Sequence, residues 1–125
     1  MFLEYNAHPK GIKTTDCVVR SIATAMQTDY LECRRKLNKA KRDWGFSTYK
    51  ETKFLYKYFD GYPRLIFKAV RGEPRIKGTN FTKLHPEGTY ILKMAGHMTV
   101  CIDGVILDNW DCTYRSVYTA WEISK

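Results

Sequence analysis

The spacing of apolar residues changes once along this chain, and that single switch constrains the fold more than any other feature. Up to about residue 60, apolar residues recur at three- and four-residue steps, the period of a helix with one face in a core. Beyond Leu65 they alternate or run together in short stretches, the habit of strands. The first helix is expected to open near Thr15 or Asp16, both good N-caps, with Val18, Val19, Ile22, Ala23 and Met26 as its stripe. The second follows Thr28-Asp29, carries Tyr30, Cys33, Leu37, Ala40 and Trp44 on one side, and stops at Gly45. A third is expected to open at Thr48, with Glu51 three residues on as a capping box, and to run to about Phe59.

The second half reads as strands at Leu65 to Val70, Thr89 to Met94, His97 to Ile102, Val105 to Asp108 and Val117 to Ile123, with Arg71 to Pro74 as a turn. Asp103-Gly104 is the strongest hairpin signal, because a type I′ turn needs positive φ at both central residues. Helices first and an antiparallel sheet afterwards argue for an α+β fold, with the N-terminal helices packed on one side of a C-terminal sheet. No repeat or Pro/Gly/Ser-rich linker divides the 125 residues, so residues 1–125 are expected to be one domain.

Composition excludes some classes of chain. A hydrophobic content of 44% is far from the disordered range, and no apolar run approaches the roughly 18–20 residues that a membrane span requires. The N-terminus, Met1-Phe2-Leu3-Glu4-Tyr5-Asn6, has no basic start followed by an apolar stretch, so a cytoplasmic protein with reduced thiols is expected. The net charge of +8 favours acidic partners. None of Cys17, Cys33, Cys101 and Cys112 sits in a Cys-x-x-Cys pair, and no metal or cofactor is expected.

Cys17 falls in the first turn of the first expected helix, where unpaired N–H groups and the helix dipole favour a thiolate. His97 opens a strand. With Asp103-Gly104 as the turn, Ile102 pairs with Val105 and Val100 with Leu107, which brings Thr99 opposite Asp108 and His97 opposite Trp110. Strand alternation then puts His97, Thr99, Asp108 and Trp110 on one face and Asn109 on the other. Asp108 is therefore the carboxylate that can orient the imidazole, as the third member of a catalytic triad does.

Thr15-Asp16-Cys17 at a helix start, a strand-opening Gly96-His97 far downstream, and Asp108-Asn109-Trp110-Asp111 resemble the papain-like cysteine peptidase fold. The nearest pattern is the bacteriocin-processing group, and with Tyr5-Asn6, Pro9-Lys10-Gly11 and Val18-Val19-Arg20 the chain is similar to small phage-encoded members. The resemblance touches both ends of the chain but not residues 45–85. It implies a hydrolase that attacks a peptide or isopeptide amide, with Cys17 as nucleophile, His97 as proton carrier and Asp108 holding His97. It also implies a protein or peptide substrate, in a host cytoplasm if the chain is phage-encoded. There is one departure. The family usually places a glutamine six residues before the nucleophile to donate to the oxyanion, whereas Gly11 stands there and the only glutamine is Gln27. Asn6, Lys13 and Thr15 are the candidate substitutes beside the Cys17 N–H. A slow enzyme, a non-catalytic relative and a substitute donor all remain open.

A competing reading comes from the second helix. Arg34, Arg35, Lys36, Lys39, Lys41 and Arg42 form a run of cations without acids, which could track a phosphate backbone or dock an acidic protein. Nucleic acid is the second-choice partner, and a membrane is not expected. Tyr49, Phe54, Tyr56, Tyr58 and Phe59 could offer stacking surfaces, although their helical spacing fits a core better.

Overall fold

The computed structural model describes residues 1–124. Four helices, α1 (Cys17–Met26), α2 (Tyr30–Trp44), α3 (Thr52–Tyr58) and α4 (Gly78–Leu84), accompany six strands. The strands are β1 (Phe2–Glu4), β2 (Arg64–Ile66), β3 (Thr89–Met94), β4 (His97–Ile102), β5 (Val105–Asp108) and β6 (Val117–Ser124). They form one sheet in the order β1-β5-β4-β3-β6-β2. The fold is α+β, as the change of period implies. No helix among the described residues is long and apolar enough to cross a membrane.

Local chemistry sets most boundaries. Asp29 caps α2 by accepting from the Glu32 N–H at 3.1 Å, and Gly45 ends it with a left-handed φ of 74°. Asp103 and Gly104 both take positive φ, 48° and 76°, so the β4–β5 hairpin has the expected turn and pairs Ile102 with Val105 and Val100 with Leu107.

Strand alternation sorts the core into two layers. Ile91, Met98, Val100 and Trp121 pack under α1, α2 and α3. Tyr90, Leu92, Met94, Cys101 and Ala120 face the other way, with Phe81 of α4 and Cys112. Phe54 and Phe59 are fully buried, and Tyr56 and Phe59 lie against the Trp121 ring, so the aromatics of α3 are core and not a stacking platform.

Four expectations are corrected. The sheet is mixed rather than antiparallel throughout, because β1 runs parallel to β5. Three residues before any periodic segment carry no readable pattern. Helices cover both faces of the sheet, because α4 packs Phe81 on the face opposite α1. Its Gly78-Thr79-Asn80 start has poor helix propensity, so nothing in the sequence announced it. The third helix opens at Thr52 and not at Thr48: Thr48 Oγ1 accepts from the Lys50 N–H, and Ser47 donates to Glu51, so both groups build a turn instead of a cap. The expected strand Leu65 to Val70 shrinks to Arg64–Ile66 on the sheet edge, and Val70 makes only an isolated bridge to Glu73.

Candidate active site

Cys17 is the first residue of α1, whose first N–H groups have no partner within the helix. The residue before it does not cap that end with its side chain. Asp16 instead accepts from Arg20 Nε at 2.6 Å and from the Tyr30 hydroxyl at 2.7 Å. Arg20 is a buried guanidinium, and its other arm donates to Asp108 Oδ1 at 2.8 Å. Burial and the Asp16 carboxylate raise the Tyr30 hydroxyl above its ordinary range, so it stays a donor.

Gly96, with a left-handed φ of 60°, closes the tight β3–β4 turn and delivers His97 to the first position of β4. There His97 Nε2 meets Asp108 Oδ2 at 2.7 Å, with both residues buried. The hairpin register is the one expected and Asp108 is the residue that holds His97, but β5 ends at Asp108, so Asn109 does not continue the alternation and lines the larger cleft with Cys17 and His97 instead of pointing away. The His97 ring packs at 4.7 Å on Trp110, its expected cross-strand neighbour. With Nε2 engaged, Nδ1 is the ring nitrogen left for Cys17.

Cys17 Sγ is half-buried, lines the same two clefts as His97, and makes no hydrogen bond of strict geometry among the described residues. A loose nucleophile–base pair of this kind is common in the absence of substrate. The electrostatics favour the ion pair all the same. Burial works against the thiolate, yet the adjacent His97, the Met98 N–H and the charge of Arg20 together bring the Cys17 pKa below that of an ordinary thiol. Burial also opposes the imidazolium, but the hydrogen bond to Asp108 and the nearby Cys112 and Cys17 sulfurs outweigh it and lift His97 to about 11. Asp108, desolvated but held by His97 and Arg20, falls to about 2. The other cysteines differ: burial pushes Cys33 and Cys101 up to about 11, and Cys112 also rises.

Two of the three oxyanion candidates reach the cleft. Lys13 and Thr15 line the larger one, of about 640 Å³, with Cys17 and His97. Asn6 does not line it: its amide donates to the Ile12 carbonyl at 2.9 Å and accepts from the His8 N–H at 3.0 Å, which closes the loop before α1. Gly11 presents no side chain. The cations of α2 lie on a surface that contributes to neither cleft; Arg34, Arg35, Lys36, Lys39 and Arg42 are exposed and Lys41 is half-buried.

Sequence reasoning missed Arg20 and Tyr30, and considered Cys112 beside His97 only as a zinc ligand, a reading it set aside. The i,i+4 spacing of Asp16 and Arg20 was a usable signal for the first, whereas nothing linked Tyr30 to the site. Cys112 Sγ approaches Asp108 Oδ2 at 3.4 Å, and the ligand-type atoms of His97, Asp108 and Cys112 lie within 4.8 Å of one another. That trio could reach one ion, but the Arg20 guanidinium already neutralises its carboxylate and would repel a cation. Compared with protein-family models, curated proteins and solved structures, the chain matches nothing in any of the three.

Proposed function

We propose that the protein is a papain-like cysteine hydrolase that cleaves a peptide or isopeptide amide. The observation that carries this reading is the convergence on one cleft of a thiol at a helix start and a histidine whose far nitrogen is held by a buried aspartate. The Cys17 thiolate attacks the carbonyl carbon, and the oxygen takes up the negative charge beside the Cys17 N–H, with Lys13 or Thr15 as a second donor. As the tetrahedral centre collapses, the C–N bond breaks and the His97 imidazolium protonates the departing amine. Neutral His97 then takes a proton from water. The resulting hydroxide displaces the thioester sulfur, which releases the acid and restores the thiolate–imidazolium pair. Asp108 holds the ring throughout, and Arg20 holds Asp108.

Limiting iodoacetamide at about pH 6, followed by peptide mapping, tests the reading directly. Cys17 is expected to label before Cys33, Cys101 and Cys112. His97→Ala is expected to slow that labelling roughly tenfold or more, since an adjacent opposite charge is worth one to three pKa units. Asp108→Ala is expected to slow it less, and Asn109→Ala less still, because Asn109 lines the cleft but is not the partner of His97. Equal labelling of all four thiols in the folded protein would sink the proposal.

A non-catalytic binding role for α2 has one observation in its favour: Arg34, Arg35 and Arg42 are exposed and make no ion pair among the described residues. Strong, salt-sensitive retention of RNA or DNA in a gel shift, abolished by substituting those arginines, would promote it.

A further inference from the structure

The clefts beside Cys17 have a chemical bias that the reaction itself does not require. A smaller cleft of about 180 Å³ opens next to Cys17 and His97, with Val18, Leu55 and Met98 as apolar wall and Lys50 and Lys93 as cations. The larger one adds Lys13 and shares Lys50. No aspartate or glutamate lines either, and none of these three lysines makes an ion pair among the described residues.

Lys93 is the informative one. It pairs with Met98 across β3 and β4, so it stands on the sheet face that carries α1, half-buried, with one hydrogen bond from Nζ to the Met94 carbonyl at 2.8 Å. Burial weakens its ammonium, which is drawn back up only by the Cys17 sulfur. A half-buried cation with one backbone hydrogen bond and no carboxylate partner has donors to spare, and an incoming anion would take them up.

We propose, resting on the hydrolase reading, that this cleft selects peptides with an aspartate or glutamate beside the scissile bond: the carboxylate meets Lys93 and Lys50, and the side-chain stem lies on Val18, Leu55 and Met98. Lys13, in the larger cleft that shares Lys50, adds to the same positive field.

The test uses two alkylating agents of nearly equal size, neutral iodoacetamide and anionic iodoacetate. Their rate ratio at Cys17 reports the field in the cleft without any need for turnover. The iodoacetate/iodoacetamide ratio is expected to exceed that of a free thiol such as glutathione, to fall as salt is raised, and to drop roughly threefold or more in Lys93→Met and in Lys50→Met. Lys50 is exposed, so its variant reports even where the strand substitution disturbs folding. Paired peptides that differ only as Glu against Gln at each position flanking the cut supply the second arm. A ratio no higher than for glutathione, or one indifferent to both lysines, overturns the proposal. Cys17-dependent cleavage without a gain for Glu over Gln also overturns it and leaves the hydrolase intact. Absence of any Cys17-dependent cleavage with the lysine-dependent ratio retained overturns the hydrolase reading and the substrate assignment with it, and leaves only an anion-attracting cleft beside Cys17.

Discussion

His97 is the residue on which charge and stability meet. Its imidazolium is raised from 6.5 to about 11, chiefly because the Asp108 carboxylate overcomes the cost of burial. A group whose folded pKa lies above its unfolded value stabilises fully below the unfolded pKa, and the contribution is lost as pH rises through the folded one. His97→Gln is therefore expected to be destabilised in full at about pH 6, with the deficit shrinking as pH climbs towards 11. Urea unfolding of parent and variant at a series of pH values reads this directly, and a deficit that grows with pH would reverse the assigned charge state. The same raised pKa means that His97 carries its proton at neutral pH, as a resting thiolate–imidazolium pair requires.

At the scale of elements, the β3–β4 turn aims the site. Gly96 sits at φ 60°, and a Cβ added there would meet nothing within 4 Å, so a side chain at this position brings conformational strain and no clash. Gly96→Ala is expected to lose about 1 kcal/mol, and Gly96→Asn distinctly less, because asparagine tolerates the left-handed region. Denaturant midpoints would show it; an asparagine variant no better than alanine would mean that the turn relaxes to another geometry. The elements that could be read from the sequence share one property: their apolar stripe or turn chemistry lies within a single short segment. That holds for α1, α2, β3, and the β4–β5 hairpin, whose register singled out Asp108 over Asn109. What could not be read depends on distant partners. β1 exists because β5 offers it an edge, and α4 because the Cys101 face of the sheet needs covering. Thr48 is a different case, a local competition in which its hydroxyl accepts from the Lys50 N–H and builds a turn instead of a cap. In the site the same division holds. Cys17 and His97 announced themselves by helix start and strand start, whereas Lys93 comes into view only once β3 lies beside β4.

Across the whole molecule, one buried network ties the helical layer to the sheet. Arg20 of α1 donates to Asp16 and to Asp108 at the end of β5, and Tyr30 of α2 closes the chain through Asp16. Removing one partner from such a network leaves uncompensated charge behind, which costs about 3–5 kcal/mol. Arg20→Met is expected to fall in that range, with Arg20→Lys intermediate because a single ammonium nitrogen cannot stand where both Nε and Nη1 of the guanidinium meet Asp16 and Asp108. A packing loss alone would give a similar number, so the pH dependence decides between them. In the parent, Asp108 is depressed from 3.8 to about 2, so its contribution is complete above 3.8 and lost as pH falls through 2. Without Arg20 that carboxylate is less depressed and has less to lose. The gap between parent and Arg20→Met should therefore be widest near neutrality and narrow as pH drops below about 4. Paired unfolding curves at neutral and acid pH would measure it. A gap that stays constant would mean that Arg20 holds the layers together by volume, with its charge idle, and the electrostatic link from α1 through Asp108 to His97 would have to be abandoned.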